Sequence, residues 1–161
     1  MEPQKTKYFL YPGVKPPVFN KDEQGAVISI DAYPRAVVVD GCDEQDPRLR
    51  KTVHDFSKIK SIPFYPGDKV VLGLGLIIET PQEWIATFVC GRVGSLIKEG
   101  IEVASSGPIY KGKGIQTRQE IFAVIRNTGK SKIDLTSDLC CVQLYFQQIF
   151  SPFVEPQEWP K

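Results

Sequence analysis

Through most of the chain, apolar and polar positions alternate in short runs of β-branched and aromatic residues, broken by Gly, Pro, Asn and Asp. A period of two is that of a strand with one face turned to a core. The first strong run is Ala26–Tyr33; Pro34 breaks it, and Arg35–Asp40 follows as a second strand. Pro66-Gly67-Asp68 marks a turn before a long apolar strand, Lys69–Glu79, that carries two glycines. Pro81-Gln-Glu is a turn, and further strands are expected at Trp84–Cys90, Ile101–Val103 and Ile109–Tyr110. In Glu120–Asn127, Ile121, Ala123 and Ile125 alternate with Phe122, Val124 and Arg126, so both faces are apolar enough for a sandwich interior. Asn127-Thr-Gly-Lys130 reads as a hairpin turn, and Ser131–Leu135 and Cys140–Phe150 close the series.

Short strands punctuated in this way define an all-β chain, built as a sandwich, barrel or jelly roll with at most one short helix. The helix is expected within Asp46–Lys60, where Pro47 suits a first turn. Pro12, Gly13, Pro16, Pro17 and Gly25 make residues 1–25 an arm or loop. Pro152, Pro156 and Pro160 make residues 151–161 an extended tail. With 161 residues and no internal repeat, the chain is expected to form one domain with a substantial core.

Composition narrows the chemistry. The hydrophobic fraction of 42% and charged fraction of 24% are those of a globular protein. Net charge is +1 and the Lys and Arg residues are scattered, so no specific nucleic-acid surface is expected. The longest apolar run, Val70–Ile78, is too short to span a bilayer, and Met1–Tyr8 does not read as a signal peptide. A soluble, cytoplasmic protein with no membrane partner is the expectation. Cys42, Cys90, Cys140 and Cys141 lack CxxC spacing, and His54 is the one histidine, so no protein-held metal site is expected. The cysteines read as free thiols, at least one of them a small core residue.

Four segments, in order, carry a family resemblance: PGDKVVLGLGLIIETP from Pro66 to Pro81, GRVGSLIKEG from Gly91 to Gly100, EIFAVIRNTGK from Glu120 to Lys130, and DLCCVQLYF from Asp138 to Phe146. Together they resemble the motifs of the trimeric dUTPase and dCTP-deaminase superfamily over roughly residues 64–150. The longer segment before Pro66 is closer to the layout of the deaminases. The resemblance implies a distorted β-jelly roll, a homotrimer with active sites at subunit contacts, and deoxypyrimidine triphosphates as substrates. It also implies Mg²⁺ as the ion that accompanies the triphosphate, bridging phosphate oxygens.

Carried onto this chain, the resemblance implies a phosphate-binding set of Arg92, Gly94, Ser95, Lys98 and Gln143. A Gly/Ser turn with basic side chains can offer backbone N–H groups and cations to phosphates. Lys98 stands where the family has Arg, so it supplies charge without the bidentate fork. The carboxylate and ring that dUTPases use fall on Gly114 and Thr117, and no Asp occurs between Asp68 and Asp134. The deaminase Glu position falls on Val124. Glu120, four residues away on the same face of a regular strand, is the candidate catalytic carboxylate; its other reading is a solvated strand-end glutamate. The polar segment Ser105–Gln119 is longer than in the family, and reads as a loop over the site or a surface for a protein partner.

Three functions remain open at this point. One is hydrolysis of dCTP or dUTP. The second is a non-catalytic relative that keeps the trimer and a nucleotide pocket and acts as a binding, regulatory or structural protein, virus-encoded in one version. The third is an unrelated β-sandwich binding module.

Overall fold

The computed structural model describes residues 6–39, 52–79, 85–104, 120–148 and 156–159. Among these, strands β1 (Lys7–Leu10), β2 (Val18–Lys21), β3 (Val27–Ala32), β4 (Ala36–Val39), β5 (Thr52–Asp55) and β6 (Ile62–Phe64) precede the turn at Pro66. Strands β7 (Lys69–Gly73), β8 (Leu76–Glu79) and β9 (Ile85–Gly91) lead into one helix, α1 (Val93–Glu99). Strands β10 (Ile101–Ala104), β11 (Phe122–Asn127), β12 (Ile133–Leu135) and β13 (Val142–Gln148) complete the chain.

Two larger antiparallel sheets run in the orders β10-β11-β7-β4-β5 and β2-β3-β13-β9, and two ribbons pair β1 with β8 and β12 with β6. Both sheets and both ribbons feed one core, where Ile30, Val37, Phe64, Leu72, Leu76, Val89, Ile101, Ile125, Leu135 and Leu144 are almost fully buried. This is the layered, all-β arrangement of a jelly roll.

Four differences from the sequence reading have local causes. The run expected as one strand over Lys69–Glu79 is two, because the chain turns a corner at Leu74-Gly75. Gly75 has φ of +60°, and a Cβ there would lie 2.6 Å from a Val14 methyl. Glycine lets β7 stay in the five-stranded sheet while β8 leaves to pair with β1. Second, residues 1–25 are not only an arm: Lys7–Leu10 pairs with β8, and Val18–Lys21 pairs with β3 through a bulge at Asn20/Lys21. Their partners supply the order that the Pro/Gly content does not forbid. Third, the described part of Asp46–Lys60 forms strand β5 and a turn rather than a helix, because Thr52–Asp55 completes the edge beside β4. Fourth, β11 buries Ala123, Ile125 and Asn127, with Ile121 buried just before it, and leaves Phe122 46% exposed, so it has one interior face rather than two.

The helix instead forms at Val93–Glu99, within GRVGSLIKEG. Arg92 is its N-cap in extended conformation, and Gly100 closes it at φ +71°, its N–H donating to Leu96 O at 3.1 Å. The helix is packed inside out: Ser95 is buried, while Val93, Leu96 and Ile97 are 70, 48 and 77% exposed. The strand expected at Ile109–Tyr110 and the segment Ser105–Gln119 lie outside the described residues, as does most of the tail.

Candidate functional site

The site is assembled by strand β13, which lies between β3 and β9. Gln143 stands opposite Asp31 on one side and Cys90 on the other. Its carboxamide Nε2 donates to Asp31 Oδ1 at 3.0 Å and to Ser29 Oγ at 3.3 Å. Asn20 Nδ2 donates to the same Ser29 hydroxyl at 3.0 Å, extending the polar line onto β2. Gln143, expected as a phosphate-side residue, is thus held on a half-buried polar stripe across β2, β3 and β13.

The other half comes from the end of β9. Arg92 leaves that strand with its N–H donating to Cys141 O at 3.0 Å. Its side chain then reaches Asp31 Oδ1, with Nε at 3.7 Å, and Cys140 O, with Nη1 at 3.4 Å. Ser95 Oγ donates to the same Cys140 carbonyl at 3.1 Å. Arg92, Ser95 and Gln143, drawn from two distant segments, therefore converge on Asp31 and Cys140. Gly94 is exposed in the first turn of α1, with open space where a Cβ would project. Lys98 is exposed in the last turn of the same helix.

The electrostatics are those of a partly open site. Burial opposes the Arg92 charge, while Cys140, Asp31 and Tyr33 favour it, and the net shift is upward. Burial pushes the Cys140 thiol up, with Arg92 pulling against it. Cys140 Sγ contacts Ala32 O at 3.4 Å and is half-buried, whereas the neighbouring Cys141 is a core residue. Free thiols are thereby found at Cys90, Cys140 and Cys141; Cys42 lies outside the described residues. Cys90 also pairs with the Tyr145 hydroxyl across the β9/β13 register.

Glu120 belongs to a different cluster, and it is not a solvated strand-end residue. It is 9% exposed, and Arg35 Nε and Nη2 donate to its two oxygens at 2.7 Å each. The Gly75 N–H donates to Glu120 Oε1 at 2.7 Å. Arg35 in turn lies 4.7 Å from the Tyr11 ring centroid and 3.6 Å from Asp55 Oδ2. The carboxylate thus locks the Gly73–Gly75 corner to Arg35 at the start of β4, and a Cβ on Gly73 would lie 2.9 Å from Glu120 Oε1.

Sequence reasoning passed over Asp31, Cys140 and Arg35. Asp31 carried a signal: it is the one charged residue in the apolar run Val27–Tyr33. Arg35 directly follows a proline at a strand start, which by itself points to nothing. Cys140 acts through its backbone carbonyl, which no sequence motif encodes.

No protein-family model matches the chain, and no curated protein matches it in sequence. Solved structures do. A dUTPase from phage phi11 of S. aureus, studied for its species-specific insert, is similar at a TM-score of 0.66 and 11% identity, covering 98% of this chain and 99% of that one. A mutant of that phage's dUTPase, whose structure shows the coordination of a structural Mg(II) ion, is similar at 0.65 and 11%, over 98% and 99% of the two chains. A Staphylococcus bacteriophage 80alpha dUTPase mutant bound to dUpNHpp is similar at 0.66 and 13%, over 99% of both chains. Likeness over the whole length at such low identity establishes the fold: this chain has the dUTPase fold, in a divergent sequence.

Proposed function

With the dUTPase fold as premise, we propose that the chain binds a deoxypyrimidine triphosphate at the subunit contacts of a homotrimer and hydrolyses it, in a dUTPase-like or dCTP-deaminase-like reaction. The observation that carries this reading is the convergence of Arg92, Ser95 and Gln143 on Asp31 and the Cys140 carbonyl. A half-exposed guanidinium beside the open Gly94 of α1 offers a triphosphate both charge and a backbone N–H donor. Lys98 adds charge one turn along. The exposed Val93, Leu96 and Ile97 support the subunit contact, since an apolar patch beside a polar pocket is what a second subunit covers. The dUpNHpp held by the bacteriophage 80alpha relative is a triphosphate of this class.

Magnesium fits this reading only as a companion of the nucleotide. Among the described residues, no group of three or more His, Cys, Asp or Glu is placed to hold a metal. Such an ion would supply charge neutralisation to the triphosphate, and Arg92 and Lys98 would orient the phosphates. No helix among the described residues is long and apolar enough to cross a membrane. The cytoplasm, where nucleotides are pooled, is the compartment the reading implies.

A second reading is favoured by one observation. The candidate carboxylate, Glu120, spends both oxygens on Arg35 and the Gly75 N–H. A general base must reach its proton, and this one is committed to the fold. On that reading the chain keeps the trimer and the nucleotide pocket without turnover, and segment Ser105–Gln119 serves a protein partner.

Incubation of the purified protein with dCTP or dUTP and Mg²⁺, with products separated by ion exchange, decides between them. Release of dUTP or dUMP establishes hydrolysis and names the branch. Nucleotide binding by calorimetry without product, in a species that sizes as a trimer, establishes the second reading. A monomer that binds neither nucleotide removes both.

A further inference from the structure

The nucleotide reading uses Arg92 but leaves a cation from another part of the chain unassigned. Lys15 comes from the segment between β1 and β2. Its Nζ lies 3.1 Å from Asp138 Oδ1 and 4.3 Å from the centroid of the Tyr33 ring. Those two neighbours place it. Asp138 is two residues from Cys140, whose carbonyl holds Arg92 and Ser95. Tyr33 is two residues from Asp31, whose carboxylate faces the Arg92 guanidinium. Residues two apart are separated by at most about 7 Å along the backbone. Lys15 and Arg92 are thus tied, each twice, to the same two short stretches of chain, 31–33 and 138–140.

Both cations are available. The Lys15 and Arg92 side chains are 45 and 43% exposed. The carboxylate on Lys15 is 78% exposed, and an exposed, solvent-screened pair of this kind holds its lysine only weakly. A polyphosphate, with several charges and no need to order a second side chain, outcompetes such a partner. Asp31, the other carboxylate of these two stretches, is mostly buried and already accepts the Gln143 carboxamide, so its charge is spent inward. The Tyr33 ring limits where Lys15 can go, because an ammonium over an aromatic face is held there by the ring quadrupole.

We propose that Lys15 is a further phosphate-contacting residue of the nucleotide site, held over Tyr33 so that it and Arg92 grip the polyphosphate chain from two sides. The proposal rests on the nucleotide reading, and its test separates the two. Calorimetry would compare wild type, Lys15→Met and Lys15→Arg with dUTP, dUMP and inorganic tripolyphosphate. Loss of one charge-assisted contact predicts about tenfold weaker dUTP and tripolyphosphate binding by Lys15→Met. The monophosphate should change by less than about twofold, and Lys15→Arg should recover most of the loss, since it keeps the charge. Thermal unfolding of Lys15→Met should match wild type, because the side chain is exposed. If Lys15→Met binds dUTP as tightly as wild type, the Lys15 assignment is wrong while the nucleotide reading stands. If wild type binds tripolyphosphate in a Lys15-dependent way but no nucleotide, the anion subsite stands and the nucleotide reading falls. Binding of neither probe overturns both.

Discussion

Arg35 and Arg92 each face a carboxylate, Glu120 and Asp31, and the two pairs differ in geometry and depth. Arg35 makes two parallel bonds of 2.7 Å to a carboxylate whose side chain is 5% exposed. Arg92 approaches Asp31 at 3.7 Å with a side chain that is 43% exposed. A buried fork-to-fork pair has its lone pairs filled and little freedom to accept anything else. A loose, half-exposed guanidinium keeps donors for a ligand. The same pairing of residue types thus makes a structural lock in one place and a loose, half-exposed contact in another, the one the proposed function assigns to a ligand. What separates them is how many neighbours close around the charge.

Removing one partner of the lock should produce the largest effect. Glu120→Ala leaves the Arg35 charge partly buried without its fork, and a loss of about 3–5 kcal/mol is expected in urea unfolding. If Glu120→Ala unfolds like wild type but abolishes turnover, the contrast collapses and Glu120 is catalytic after all. Next in size is Gly100→Ala, which tests whether the open site has a rigid footing of its own. A Cβ there would lie 2.8 Å from the Gly129 backbone, at a φ of +71°. A loss of about 1–3 kcal/mol is expected, with nucleotide affinity falling alongside because α1 carries Ser95 and follows Arg92. Smaller again for stability is Arg92→Ala, at no more than about 1 kcal/mol, paired with at least about tenfold weaker triphosphate binding. An Arg92→Ala protein as destabilised as Glu120→Ala would show that the two pairs are alike.

The smallest effect at neutral pH marks the boundary between core and site. The buried Cys141 thiol is pushed up from 9.0 to about 12 by burial. The folded chain then keeps this proton after the unfolded chain has lost it. Stability from this group is full below about pH 9 and falls as pH rises from 9 toward 12. Cys141→Ala should remove that part of the slope, read from urea midpoints at about pH 8 and about pH 10.5. Cys140, one residue away and half-buried, should react with a thiol reagent in the native state well before Cys141 does.

Most strands of the two larger sheets were legible because they lie in apolar, β-branched runs, β2 and β5 being the exceptions. β3, β4 and β9 appear close to where the pattern put them, and β7, β11, β12 and β13 lie inside the stretches it marked. Where the pattern failed, a distant partner supplied the order. β1 and β2 carry too much Pro and Gly around them to read as strands, yet β8 and β3 complete their hydrogen bonds. Helix α1 is not legible as a core-facing element because its apolar residues face outward, away from the core. Its signal was the stop: Lys98 in the last turn, then Gly100.

By itself, the sequence determined that the chain is all-β and that it has the dUTPase-type motifs in order, and it singled out Arg92, Ser95 and Gln143, which the fold brings together around Asp31 and Cys140. Those properties are local: side-chain alternation, turn residues and short motifs act over a few residues. Only the tertiary structure decided which charges are locked into the fold and which stay loosely paired and exposed. Glu120 meets an arginine 85 positions away, and Arg92 shares its carbonyl partner with Ser95 from 48 and 45 positions away. Electrostatic and hydrogen-bond energies depend on distance in space and on exclusion of water, and neither is set until the sheets have packed.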